Sequence, residues 1–324
     1  MAHPADRILE ATRKRGSEMI YVSIIICTYN RAVHLGRVLD SFRYQNADES
    51  TEIIVVDNNS DDHTGTVVAQ AKDALKDSIA LSYVFEPVQG LSVARNAGID
   101  AARGEILAFL DDDATPDPGW LQAMMRFFRA NAQVNAIGGP VRPDFETDPP
   151  KWLTPGLHGL YSLIDLGDTR KPFPKNKFPI GANMAFRCEV FDCIRFAEEL
   201  GRKGETLISG EETEIFLELR HKGEPILYVE GMSVRHFVPK SRMTKQWIYH
   251  RSYHEGISLA LSAKRGSSRS LVFRCLFYAL VNYIPRPRFF NESMVCHNAR
   301  FLIFLGALLH VFLGLKLIYH GRHA

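Results

Sequence analysis

Three consecutive carboxylates, Asp111-Asp112-Asp113, close the apolar run Ile106-Leu107-Ala108-Phe109-Leu110. The run reads as a buried β-strand. Burying ionised carboxylates is costly unless a cation or hydrogen-bond donors compensate them. Side chains alternate along a strand, so Asp111 and Asp113 share one face and Asp112 takes the other. An Asp-x-Asp pair at a strand end suits Mg2+ or Mn2+, hard ions that take oxygen ligands and often bind substrate phosphates as well. A solvated acidic turn is the commoner origin of an isolated Asp triplet. The elements around this one shift the weight towards a metal.

Those elements alternate. Tyr21 to Cys27 is a β-branched run of the kind buried on both faces of a sheet, followed by the polar loop Thr28-Tyr29-Asn30-Arg31. Val33, Leu35, Val38, Leu39 and Phe42 have helical spacing over residues 32–46. Glu52 to Asp57 is a second buried strand, and Asn58 to Asp62 a turn and helix cap leading to a helix that runs to about Lys76. Leu81 to Phe85 is a third strand, and Leu91 to Ala102 a helix stopped near Gly104. Strand and helix in alternation predict an α/β fold with a mainly parallel sheet. Ligands of such sheets bind beyond the carboxyl ends of the strands, where Thr28, Asp57 and Asp111 to Asp113 all fall. The loop after the first strand has no glycine, which excludes a dinucleotide-binding turn, and no Gly-Lys-Ser/Thr phosphate loop is present.

Composition narrows the class. The chain has 324 residues, 46% of them hydrophobic, so a sizeable core is expected and wholesale disorder excluded. The net charge of +2 gives no reason to propose nucleic acid as a partner. Five cysteines without a Cys-x-x-Cys pair argue against a disulfide framework or a zinc site and suit a reducing cytoplasm. Met1 to Glu18 lacks the apolar core of a signal peptide and reads as an extension over residues 1–19.

Four segments occur in order: Ser23-Ile24-Ile25-Ile26-Cys27-Thr28-Tyr29-Asn30-Arg31, Val55-Val56-Asp57-Asn58-Asn59-Ser60-Asp61-Asp62, Gly90-Leu91-Ser92-Val93-Ala94-Arg95-Asn96-Ala97-Gly98 and Leu110-Asp111-Asp112-Asp113. Together they resemble the family-2 glycosyltransferases, of the inverting, metal-dependent GT-A type that builds bacterial polysaccharides and glycolipids. The resemblance runs from residue 21 to about 240. It implies a nucleotide-sugar donor, usually a UDP-sugar, with Mn2+ or Mg2+ as cofactor. It places Thr28, Tyr29, Arg31, Asp57, Arg95, Asn96, Asp111 and Asp112 around the nucleotide, with Asp57 reading the ring N–H of uracil and Asp111 near the ribose. Asp113 would reach the metal, and His236 would be a further metal or diphosphate ligand.

Phe178 to Arg187 resembles the family's donor-sugar and acceptor segment, which brings in Gly181, Ala182 and Asn183. Small residues there would let backbone approach a ligand closely. Glu211-Glu212 stands where the family usually has Glu-Asp, the second acid being the catalytic base. Glu212 keeps the carboxylate but reaches one methylene further, so Glu211 stays a candidate beside it. Acids at a helix start also have an ordinary explanation in the helix dipole. Asp144 to Lys177, rich in Pro, Gly and aromatics and containing Trp152, reads as an acceptor or closing loop, or as a surface insertion. Lys240 and Arg242 could hold a diphosphate or an acceptor phosphate, Arg242 by a bidentate fork.

Residues 20–245 thus read as the catalytic domain and 246–324 as a helical region. Leu271 to Ile284 and Phe301 to Tyr319 are apolar, and Arg265, Arg269, Arg274, Arg286, Arg288 and Arg300 surround them. Basic residues beside apolar helices suit anionic lipid, which predicts attachment to the cytoplasmic face of the inner membrane. A helical subdomain packed on the core is the competing reading. The expected partners are the donor, a glycan or lipid-linked acceptor, and the membrane surface. The alternatives in function are a nucleotidyltransferase using the same metal site, which would leave the Glu211-Glu212 pair without a purpose, and a catalytically idle membrane scaffold, which the intact acids argue against.

Overall fold

The computed structural model describes residues 20–47, 50–204, 206–265 and 294–313. The apolar runs become the middle of a sheet. β1 (Val22–Thr28), β2 (Thr51–Asp57), β3 (Ala80–Phe85) and β4 (Ile106–Asp111) are joined by helices Ala32–Ser41, Thr64–Leu75 and Leu91–Ala101. All pair in parallel, in the spatial order β3-β2-β1-β4. β1, β2 and β4 are buried almost throughout, as strands covered on both faces must be. β3 is the edge strand, and Tyr83 and Phe85 remain exposed on it. The first helix buries Ala32, Leu35, Val38 and Leu39 but leaves Val33 exposed, then tightens into a 3-10 turn at Phe42–Tyr44.

Beyond β4 the order of pairing changes. β5 (Ala114–Pro116), helix Trp120–Ala130, β6 (Ala136–Gly138), β7 (Val141–Phe145), β8 (Lys171–Pro172) and β9 (Asn183–Arg187) follow in turn. β9 runs antiparallel to both β4 and β6. Helix Glu211–His221 leads to β10 (Ile226–Tyr228), beside β6, and to β11 (Val234–Val238). The large sheet therefore reads β3-β2-β1-β4-β9-β6-β10-β8, and β5-β11-β7 form a small second sheet. Tyr228 and His236, eight residues apart, thus fall in two strands of two different sheets. Residues 144–177 hold a 3-10 turn at Pro155–Tyr161 and the short β8.

The two later helices, Lys245–Arg265 and Met294–Leu313, lie against each other. Their backbones touch at two glycines: a Cβ at Gly256 would collide with the Ile303 carbonyl oxygen, and one at Gly306 with that of Tyr253. The pair docks on the catalytic domain. Trp247 stacks on Tyr161 with ring centroids 4.9 Å apart, and Val295, Cys296 and Ala299 join the main core. Among the described residues, no helix is long and apolar enough to cross a membrane. The 1–19 extension and the apolar stretch Leu271 to Ile284 lie outside the described residues, as do positions 314–319 of the second stretch.

Candidate active site

The register of the parallel strands aligns their polar ends. Thr28 is level with Asp57, and Cys27 with Asp111. A cavity of about 450 Å³ opens at this edge, lined by Thr28, Tyr29, Arg31, Arg95 and Asp111 to Asp113 among others. β5 follows the triplet directly and pairs with β11, placing His236 opposite Ala114. That pairing explains how a residue more than a hundred positions away reaches Asp113: His236 Nε2 lies 3.1 Å from Asp113 Oδ1. Asp111, Asp113 and His236 each offer an atom within 4.8 Å of the others. Two carboxylate oxygens and an imidazole nitrogen are a donor set that Mn2+ accepts well. The second ring nitrogen of His236 is buried without a hydrogen-bond partner among the described residues. These residues fit a divalent cation.

Asp112 lies with Asp113 in the turn beyond β4, which ends at Asp111, so the turn and not strand alternation separates it from that trio. It accepts from Thr28 Oγ1 at 2.8 Å and Arg31 Nη1 at 2.7 Å, while Arg31 Nη2 pairs with Asp113 at 2.7 Å. Arg31 is thus a clamp across two of the three carboxylates. Burial pushes the Asp112 carboxyl up to about 6 against the pull of Arg31. Burial alone would also raise Asp113, yet His236, Arg31 and Arg242 together hold it well below the usual carboxylate range. Arg242 stands 3.8 Å from Asp113, and burial brings its guanidinium down to about 10.

Across the cavity, Gly210 in a left-handed conformation opens helix Glu211–His221, whose first turn carries Glu211, Glu212 and Glu214. Arg95 Nη1 pairs with Glu211 Oε1 at 2.6 Å, and Arg95 Nη2 lies 3.3 Å from Asp111 Oδ1. The Oε2 atoms of Glu211 and Glu212 are both buried without a hydrogen-bond partner among the described residues. Burial, and then the neighbouring charge of Glu211, push the Glu212 carboxyl up to about 8. A carboxylate tuned upwards in this way is suited to accept a proton near neutral pH.

The expected site residues divide. Thr28, Tyr29, Arg31, Arg95, Asp111, Asp112, Asp113, Gly181, Glu211, Glu212, His236 and Arg242 line the one cavity. Five expected site residues lie outside its lining. Asp57 accepts from the Ser60 amide and the Tyr83 hydroxyl, at 2.9 and 2.6 Å. Asn96 is bonded both ways to the backbone of Phe196. Asn183 accepts from the Trp120 indole N–H and donates to the carbonyls of Pro140 and Met232, which binds three segments together under the sheet. Ala182 is fully buried, and Trp152 packs half-buried against the core. Asn58, Arg202, Ser209 and Arg251 line the cavity unforeseen. Of these, only Asn58 carried a signal in sequence, its position next to Asp57 at a strand end.

A mostly parallel sheet, with acids and an imidazole at its carboxyl edge and a second acid pair across the cavity, is the arrangement expected of a glycosyltransferase of the GT-A fold. The chain belongs to glycosyl transferase family 2, whose family model matches residues 23–195. It is accordingly a glycosyltransferase that uses a nucleotide-sugar donor. It is 24% identical over 242 residues to the glucosyl-dolichyl phosphate glucuronosyltransferase of Haloferax volcanii, covering 73% of this chain and 75% of that protein. To the succinoglycan biosynthesis protein ExoM of Rhizobium meliloti it is 28% identical over 245 residues, 74% of each. Among solved structures, mannosyltransferase PcManGT from Pyrobaculum calidifontis, in complex with GDP-Man and Mn2+, gives a TM-score of 0.57 at 18% identity. That match covers 95% of this chain and 94% of the other, and the likeness is one of fold.

Proposed function

We propose that this enzyme moves a sugar, with inversion, from a UDP-sugar to a hydroxyl of a lipid-linked or polysaccharide acceptor. One observation carries the reading: the half-buried acid Glu212 lines the same cavity as Asp111, Asp113 and His236. A donor held at the strand edge would put its anomeric carbon between the two groups of acids. Glu212 would take the proton from the acceptor hydroxyl as that oxygen attacks, and a single displacement inverts the centre. Glu211, fixed by Arg95, would be the supporting acid. Asp111, Asp113 and His236 would hold Mn2+ or Mg2+, which when bound neutralises charge on the departing nucleoside diphosphate. Arg242 would add a fixed positive charge beside it.

The acceptor class draws support from relatives named for a glucosyl-dolichyl phosphate substrate and for succinoglycan biosynthesis. Attachment to the cytoplasmic face of the inner membrane is part of the proposal. It rests on the arginines that flank the apolar stretches after residue 264. The test is a screen of nucleotide-sugars against the purified chain with Mn2+ or chelator, with the anomer of any product read by NMR. Turnover of a UDP-sugar that stops in chelator and gives the inverted anomer is expected. Retention of configuration, or full activity in chelator, would overturn the reading. Fractionation of cells with salt and carbonate washes tests the location, and a chain recovered wholly in the soluble fraction would refute it.

A further inference from the structure

The segment from Gly90 to Gly98 matched a family pattern and was expected to approach the nucleotide. The structure puts one face of its helix to another use. Ser92, Arg95 and Asn96 stand at i, i+3 and i+4, which share a side of a helix. Ser92 donates from Oγ to the Leu200 carbonyl at 2.8 Å. Asn96 donates to the Phe196 carbonyl and accepts from the Phe196 amide, each at 3.0 Å. Arg95 reaches Glu211 at 2.6 Å, with its guanidinium 5.3 Å over the ring of that same Phe196. The backbone joins in: the Leu91 amide donates to the Arg202 carbonyl at 2.9 Å.

The surroundings leave room for this arrangement. A Cβ at Gly181 would collide with the Arg95 guanidinium. Gly201, at φ +86°, passes so close that a Cβ there would stand 3.0 Å from Ser92 Oγ and 3.4 Å from the Glu211 carboxyl carbon. Arg95 is 3% exposed and Glu211 4%, so neither is a solvated charge. A buried ion pair contributes little net stability against an apolar pair, but losing one partner is strongly destabilising. Its use is to fix geometry.

We propose that Ser92, Arg95 and Asn96 are positioning residues: one helix face that holds Phe196, Leu200, Arg202 and Glu211, and so sets the Glu211-Glu212 acids at a fixed distance from the donor end of the cavity. Arg95 is the tie between the two ends, since its other nitrogen lies against Asp111. Asn96 acts one step back, holding the residue on which Arg95 rests. The assignment builds on the proposed transfer reaction. It adds that this motif positions the base rather than reading the nucleotide.

Three measurements on full-length protein test it: steady-state transfer, calorimetry with UDP and Mn2+, and deuterium exchange of the amides of residues 206–212. Asn96→Ala is expected to lower kcat by about 10- to 100-fold, the scale of a displacement near 1 Å in an active site. The KM for the UDP-sugar and the UDP affinity should stay unchanged, and the amides should exchange faster. Arg95→Met should lower kcat further, with a smaller loss of UDP affinity, because it also removes a positive charge beside Asp111. Arg95→Lys should restore part of the loss. If Arg95→Met does not fold, Asn96→Ala still decides. The proposal is overturned if either variant weakens UDP binding as much as it lowers kcat, or if Asn96→Ala changes neither kcat nor exchange. A wild-type chain that neither binds UDP nor turns over any UDP-sugar refutes the proposed function instead, and the exchange experiment then decides the positioning role alone.

Discussion

Two groups of acids face each other across the cavity, and they are treated in opposite ways. The Asp111 to Asp113 group is supplied with partners: Arg31 on two carboxylates, Thr28 on Asp112, His236 and Arg242 on Asp113, and Arg95 on Asp111. Among the described residues the Glu211-Glu212 pair has one cation partner, Arg95, and two buried oxygens without a hydrogen bond. The physical consequence is opposite in sign. Asp113 is held ionised far below the usual range, whereas Glu212 is pushed up to about 8 by burial and by Glu211. One end of the cavity is built to keep negative charge in place, the other to pick up a proton and release it.

Replacing the proton acceptor is the strongest challenge to that contrast. Glu212→Gln keeps the shape and removes the base. Transfer should fall by ~10²- to 10⁴-fold, the usual worth of a positioned acid or base, with UDP affinity intact by calorimetry. Glu211→Gln should be milder in turnover. The reverse order would make Glu211 the base and remove the contrast between the paired and unpaired acids. Next comes Asp113→Asn at the other end. UDP binding should weaken in Mn2+ and stay as it was in chelator. The drop should exceed the roughly 10- to 100-fold that losing a supporting hydrogen bond costs in metal affinity. Equal loss with and without Mn2+ would make Asp113 a nucleotide ligand and not a metal ligand.

A pH series sharpens the comparison further. The free enzyme's kcat/KM should rise as pH climbs through about 8 and level above it, as Glu212 loses its proton. Stability should move the other way. Folding raises this pKa from 4.5 to about 8, so the folded state holds the proton more tightly than the unfolded state. The stabilisation is complete below 4.5 and is lost as pH rises through about 8. Glu212→Gln, neutral throughout, should flatten that part of the melting-temperature profile. A wild-type kcat/KM that is level from pH 6 to 9 would refute the raised pKa.

The strand-end half of this comparison was legible because its parts are neighbours in sequence. An apolar run with a polar end puts the three carboxylates at the carboxyl edge of the sheet, although Asp112 and Asp113 lie in the turn after β4 and outside the strand's period of two, and the parallel sheet follows from alternating runs. The Glu half was legible only through resemblance, since acids at a helix start have an ordinary dipole explanation. What stayed hidden depends on partners far along the chain. Asn96 meets Phe196 and Asn183 meets Trp120, and no local spacing records either contact. Asp57, expected to read a base, also accepts from Tyr83 on the adjoining edge strand, a contact that no local spacing records. The antiparallel insertion of β9 between β4 and β6 was hidden for the same reason: three short strands give too little pattern to set an order.

The smallest expected effect sits where the Asp group is most redundant. Thr28 Oγ1 donates to Asp112 Oδ2, but Asp112 keeps Arg31 on its other oxygen, so Thr28→Val removes one of two supports and leaves the shape unchanged. An unsatisfied buried acceptor costs about 1–3 kcal/mol, and the bond to Arg31 argues for the low end. With one donor fewer, the Asp112 carboxyl should rise above its present value of about 6. Stability near neutral pH should drop slightly, and UDP affinity in Mn2+ should hardly move, because Asp111, Asp113 and His236 are untouched. Thermal melts at pH 5 and 8, paired with UDP titrations, would show this. A loss of UDP binding comparable to that of Asp113→Asn would mean that Asp112 takes part directly in holding the donor, and the Asp group would then be one cooperative unit instead of a metal pair with a separate, clamped neighbour.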